Sequence, residues 1–193
     1  FARLLKPQGV ATFEFPHLLR MVAENQFDTA YHEHYSYLSL TVVARIFAHN
    51  GLSIFDVEEL STHGGSLRVF AQRHHGGSHS ISPRVALMLG READLGMATR
   101  AYYQGFQAAA DKVKDDFVGF LLRAKSEHKS VAAYGAAAKG NTLMNYAGIR
   151  PDLISFVVDR NPAKQGKYMP GSRIPIVDAS RLESERPHFV VIL

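Results

Sequence analysis

Apolar and polar positions change period several times along the chain, and each period predicts an element. "LLKPQGVATFEF" reads as a helix end, a Pro/Gln/Gly turn and a strand over about residues 9–15, closed by Pro16. Behind Ser39, whose hydroxyl suits a cap, Leu40, Val43, Ile46 and Phe47 recur at helical spacing until Asn50-Gly51 stops the run. "LSIFDVEEL" and "SLRVFAQRH" then alternate apolar with polar residues on either side of "STHGG", the pattern of paired antiparallel strands. Over residues 82–128 the period is helical again. Gly90 and Gly96 are expected to divide a short helix from a longer one whose stripe is Tyr103, Phe106, Ala110, Val113, Phe117, Phe120 or Leu121, and Ala124. That stripe predicts core packing of a connecting helical pair, not a cofactor box.

Residues 130–193 read as β-α-β-α-β. "SVAAY" is a short buried strand, "GAAAKGNTLMNY" a glycine turn entering a helix, "LISFVVD" a second strand, "IPIV" a short extended piece and "HFVVIL" a third strand. Strands and helices alternating at these lengths predict an α/β fold with a parallel sheet and right-handed crossovers.

Composition narrows the class. A chain of 193 residues, 46% hydrophobic and 21% charged, is an ordinary globular length and mixture, enough for one or two domains. No apolar run approaches the roughly 20 residues of a membrane span, and nothing at the start reads as a signal peptide, so a cytoplasmic protein with no membrane partner is expected. The absence of cysteine removes disulfides, zinc thiolates and thiol nucleophiles from this chain. The net charge of +4 favours an anionic ligand, but the basic residues are scattered and no nucleic-acid partner is expected. The opening at Phe1 and the close on the strand-like "FVVIL" lead us to expect a fragment with chain missing on both sides.

Three motifs carry candidate chemistry. Gly135, Ala137 and Gly140 stand at the three positions of a G-x-G-x-x-G fingerprint, and Asp159 follows Gly140 by 159 − 140 = 19 residues, near the place of a ribose-binding acid. The methyl of Ala137 stands where that fingerprint needs a glycine for backbone to approach pyrophosphate. Three readings therefore stay open: a nicotinamide cofactor, another phosphate-bearing ligand at the helix N-terminus helped by Lys139, or a structural turn. The second motif is "YHEHYSY", residues 31–37. His32 and His34 are two apart, which is not the helical spacing of a zinc pair, so a metal is not expected there. Acid–base chemistry is the stronger reading, because histidine titrates near neutral pH and an adjacent carboxylate can set its tautomer. The alternative is a solvated loop of satisfied hydrogen bonds. The third motif, "THGGSLR", puts His63 before two glycines and reads mainly as a tight turn.

Taken in order, "LKPQGVATFEFP", "QFDTAYHEHYSYLSL", "HGGSLRVFAQR", "YGAAAKGNTLMNY", "VVDRNPAKQGKYMPGSRIPI" and "RPHFVVIL" resemble the S-adenosylmethionine-dependent sugar C-methyltransferases, over essentially the whole chain. The resemblance implies methyl transfer to carbon 3 of a nucleotide-linked 4-keto deoxysugar. It implies the end of a Rossmann-like methyltransferase domain over residues 1–80, a helical connector over 81–129 and a C-terminal Rossmann-like domain over 130–193. It also implies S-adenosylmethionine as cofactor, with its glycine-rich loop outside this chain, and a structural zinc in a cysteine-bearing N-terminal domain that is likewise missing. Under it His34 is the general base, Tyr31 and Glu33 its active-site neighbours, and His32 a structural residue. Tyr134, Gly135, Lys139, Gly140 and Asn141 become substrate-binding candidates. The isolated piece is expected to be inactive and open to association through its first unit. An NAD-linked oxidoreductase or nucleotide-sensing domain, and a non-catalytic oligomerisation module, remain the competing classes.

Overall fold

The computed structural model describes the backbone of residues 1–193 and every side chain except that of His63. The chain forms two compact units, residues 1–27 with 35–106, and residues 28–34 with 107–193.

In the first unit three strands, β1 (Val10–Pro16), β2 (Leu52–Leu60) and β3 (Ser66–Arg73), form an antiparallel sheet in the order β1-β3-β2. The 62–64 turn places β3 beside β2, and β3 then inserts between the two earlier strands. Period-two alternation divides the faces. Leu67 and Val69 of β3, with Ile54 and Val57 of β2, pack on Leu40 and Val43 of α2 (Leu40–His49) and on Val85 and Met88 of α3 (Pro83–Asp94). The opposite face carries Arg68 between its cross-strand partners Glu14, at 3.0 Å, and Glu58, at 3.1 Å. Because Val85 and Met88 complete this core, residues 1–75 do not close it alone.

Ser39 caps α2 as its sequence predicts, its Oγ accepting from Val42 N–H at 3.2 Å. Glu92 of α3 adds a second cap. Its carboxylate, 1% exposed, accepts from the backbone N–H groups of Leu40 (2.7 Å) and Thr41 (2.8 Å), from Thr41 Oγ1 (2.6 Å) and from His17 Nε2 (2.8 Å). His17 follows β1 directly and is the N-cap of α1 (Leu18–Ala23), an element that local pattern did not signal.

The second unit holds a four-stranded parallel sheet, β4 (Val131–Tyr134), β5 (Val157–Val158), β6 (Ile176–Val177) and β7 (Phe189–Ile192), in the order β6-β5-β4-β7. The chain is mixed α/β, as the alternation predicted. The "IPIV" piece is a sheet strand, and regular pairing in "LISFVVD" is confined to Val157 and Val158. Leu121 and Ala124 of α4 (Phe106–Ser126) and Met144 of α5 (Ala138–Tyr146) cover one sheet face; Leu182 of α6 (Ser180–Glu185) packs on the other. After β6 the chain returns to add β7 on the far side of β4. The carboxyl ends of β4 and β7 therefore form the point at which strand order reverses, where open α/β sheets bind ligands.

The helical stretch departs from expectation in three ways. The expected connector over 81–129 is divided between the units, because α3 packs on the first sheet and α4 on the second. Gly90 lies inside α3 with open space around it, so the helix tolerates it; Gly96, at φ +71°, follows the helix and supplies the left-handed turn. Tyr103 stands in a short 3₁₀ turn, and Val113 is 40% exposed, so the buried stripe of α4 is Ala110, Leu121 and Ala124, flanked by Phe117 and Phe120.

Burial acts to raise the pKa of Glu92, but the hydrogen bonds from His17, Thr41 and Leu40 outweigh it and hold the carboxyl below its ordinary value of 4.5. A carboxyl depressed by folding contributes stability above its unfolded pKa and loses it as pH falls through the folded one. Urea midpoints should therefore fall more steeply below about pH 4.5 for the native sequence than for Glu92→Gln, the gap between them narrowing with acid. Parallel midpoint curves would contradict this.

Candidate active site

The segment that holds the two histidines begins with a 3₁₀ turn over Phe27–Thr29. Tyr31 N–H donates to Thr29 C=O and His34 N–H to Tyr31 C=O, each at 3.0 Å, so residues 31–34 form a closed turn. That turn brings positions 31 and 34 together: Tyr31 Oη lies 3.0 Å from His34 Nε2, with the rings edge to face at 4.6 Å. Burial, then the negative charges of Glu33 and Asp28, push the Tyr31 phenol above its ordinary pKa, so it keeps its proton at neutral pH. Both side chains of the pair are half-buried. Glu33 is exposed, with an oxygen 4.0 Å from Nε2 of the exposed His32. The turn thus joins an imidazole to a protonated phenol, a base beside a donor. Among the described residues no three His, Cys, Asp or Glu side chains group as a metal set.

The same compact unit contains the glycine turn. Tyr134 ends β4, and Gly135 follows at φ +96°, a conformation that other residues rarely adopt. A Cβ on Gly140 would stand 2.5 Å from Leu193 Cβ, so this position needs glycine for close packing. The first and third fingerprint glycines therefore serve their usual steric purposes. Ala137 is the N-cap of α5 and its side chain makes no cap hydrogen bond. Lys139 and Asn141 lie in the first turns of α5, and Asn141 Oδ1 is buried without a partner.

Asp159 does not stand free to hold a ribose. Its Oδ2 accepts from Ala136 N–H at 2.8 Å and from Lys164 Nζ at 3.1 Å, and its Oδ1 accepts from Asn161 N–H at 2.8 Å. Lys164 Nζ also donates to Ala136 C=O at 2.8 Å. The two side chains grip both ends of residue 136 and set the shape of the turn. The Asn161 N–H holds the Asp159 carboxyl below its ordinary pKa against the opposing effect of burial, with Lys164 and the Ala136 N–H adding to the lowering. Sequence reasoning missed Lys164. The signal available was its place five residues after the acid in "DRNPAK", one turn from a strand end.

Comparison with known proteins fixes the family. The family model for the C-methyltransferase C-terminal domain matches residues 61–193. C-methyltransferase NovU of Streptomyces niveus is 36% identical over 190 residues, covering 98% of this chain. The chain belongs to the C-methyltransferase family. It spans 45% of the length of that relative. The family match takes in the whole glycine turn and the Asp159–Lys164 grip, while the 31–34 turn lies upstream of it, within the stretch similar to the Streptomyces enzyme.

Replacing Asp159 by alanine should destabilise the second unit by about 1.5–3 kcal/mol, the usual worth of hydrogen bonds to a charged group. Lys164→Ala should cost less, about 0–1 kcal/mol, since that side chain is 42% exposed. Equal urea midpoints for Asp159→Ala and the native chain would show that the grip does not hold the turn.

Proposed function

We propose that this chain is the acceptor-handling part of an enzyme that transfers a methyl group from S-adenosylmethionine to carbon 3 of a nucleotide-linked 4-keto deoxysugar. The observation that carries the reading is the Tyr31–His34 pair at 3.0 Å. A proton on a carbon beside a ketone is acidic enough for imidazole to remove, provided the developing enolate oxygen receives a hydrogen bond. His34 Nε2 takes the proton, and Tyr31, kept protonated, turns its O–H toward the oxygen. Glu33, exposed and nearest His32, is assigned to the edge of the same site. His32, 85% exposed, is left outside the chemistry.

S-adenosylmethionine supplies the electrophilic methyl. The residues of this chain do not fit it: the fingerprint acid Asp159, which would hold its ribose, is committed to Ala136, Asn161 and Lys164. The same fact weighs against the NAD-linked alternative. A non-catalytic module gives no reason for a base and a phenol closed into one turn. We assign Tyr134, Gly135, Lys139, Gly140 and Asn141 to the nucleotide-sugar, with its phosphates at the uncapped N-terminus of α5.

The strand order β6-β5-β4-β7 supports a C-terminal Rossmann-like domain over 130–193, and the antiparallel sheet supports the end of a methyltransferase domain over 1–80. Cytoplasmic location and association through the first unit complete the reading. Among the described residues no helix is long and apolar enough to cross a membrane.

Exchange of the carbon 3 proton with deuterated water, measured without methyl donor in the full-length protein, tests the base. His34→Asn should slow it by about 10²–10⁴-fold with acceptor affinity kept, and His32→Asn should be mild. Exchange in His34→Asn as fast as in the native enzyme would clear His34. For the phosphate site, Lys139→Ala should weaken nucleotide-sugar binding by roughly ten- to a hundredfold while slowing the chemical step less. Unchanged affinity would remove Lys139 from it.

A further inference from the structure

We propose that Lys164 is a further substrate-binding residue, a pinned ammonium that contacts the phosphates of the acceptor at the glycine turn. The inference rests on the function proposed above, which assigns the nucleotide-sugar to that turn. Lys164 Nζ donates to Ala136 C=O at 2.8 Å and to Asp159 Oδ2 at 3.1 Å. An ammonium carries three donors, so two are used inside the turn and one is left for a ligand. The side chain is 42% exposed, so a ligand can reach it. Ala136 lies just beyond the end of β4, which sets the ammonium at the carboxyl ends of the strands, beside the point where strand order reverses.

Two features separate this lysine from an ordinary surface one. Its main chain is fixed: Lys164 N–H donates to Asn161 C=O at 3.0 Å, Ala163 N–H to Asn161 Oδ1 at 3.0 Å, and the Gln165 amide to Asp159 C=O at 2.9 Å. With main chain and ammonium both held, most of the rotamer entropy that a free lysine loses on gripping an anion is lost before the anion arrives. The second feature is charge. The Asp159 carboxylate alone would repel a phosphate at the same turn, and Lys164 offsets it from 3.1 Å. Removing the ammonium therefore takes away one contact and uncovers one negative charge, while the partly exposed ion pair itself contributes little to stability.

Calorimetric titration of the full-length protein with inorganic pyrophosphate tests the contact. Lys164→Gln should weaken binding by about 10- to 100-fold and flatten the fall of affinity with rising salt. Lys164→Arg keeps the charge and its donors and should stay within about threefold of the native affinity. Native affinity in Lys164→Gln would overturn the proposal. Equal losses in Lys164→Gln and Lys164→Arg would overturn it too, because a lysine that only shapes the turn is replaced by neither side chain. The native protein gives a measurement that needs no variant: pyrophosphate at about ten times its dissociation constant should slow amine-reactive labelling of Lys164 by about tenfold. Lys125, paired with Asp152 at the amino end of the same sheet, is the control whose labelling should not change. Labelling of Lys164 at an unaltered rate would overturn the contact. Lys139→Ala is titrated alongside. If it and Lys164→Gln both bind pyrophosphate as the native protein does, the assignment of the acceptor to this turn fails; if Lys139→Ala alone is weakened, only the role of Lys164 fails.

Discussion

A carboxylate that is 1% exposed is tolerated only where its lone pairs are filled, and Glu92 meets that condition with four donors from two separate parts of the first unit. The constraint runs in both directions. α3 must lie where Glu92 can reach the N-terminus of α2, and β1 must end where His17 can reach Glu92. Once those two conditions hold, Val85 and Met88 fall on the apolar sheet face and the core of the unit is complete. The hydrophobic contacts supply most of the driving force, but they are not directional. The carboxylate chooses among the ways in which two amphipathic helices could lie on three strands.

The second unit uses the same device on a different scale. Asp159 stands at the end of β5, yet its carboxylate reaches back to the turn after β4, and Lys164 closes the grip from the other side. In each unit an anionic side chain from a later element captures a backbone N–H at the entry to an earlier helix. The helix dipole favours negative charge at that point, and the orphan N–H groups supply the geometry. The result is a turn whose shape no longer depends on its own residues alone.

This dependence explains what could be read from the chain and what could not. The capping of α2 by Ser39, its end at Asn50-Gly51 and the β2–β3 pairing were legible because each rests on neighbours within a few residues. The α/β alternation of residues 130–193 was legible for the same reason. Three features were not. β3 inserts between β1 and β2, which only long-range pairing decides. α1 lacks a side-chain cap and runs for only six residues, too short for a period to emerge. The division of the helical stretch between two units is set by which sheet each helix covers, and an apolar stripe does not name its partner. At the candidate site the "YHEH" motif was visible, and the resemblance put Tyr31 and Glu33 beside His34; the turn closes Tyr31 onto it, three residues back, while Glu33 lies nearest His32.

That choice between the two neighbours bears on the proposed chemistry. A carboxylate against His34 would raise its basicity and pull charge toward the imidazolium before any substrate arrived. In the proposed reaction a neutral phenol beside Nε2 serves the enolate oxygen, which needs a donor, and a phenol with a raised pKa remains one. Under the proposed roles donor and base stand 3.0 Å apart, so the atoms they would serve are neighbours too. A ketone oxygen and the hydrogen on its adjacent carbon meet that requirement. An isolated hydroxyl or a phosphate ester does not, because it offers no carbon acid beside the oxygen. The spacing of one turn therefore favours a carbon acid next to a carbonyl over the other acceptors a transferase could use.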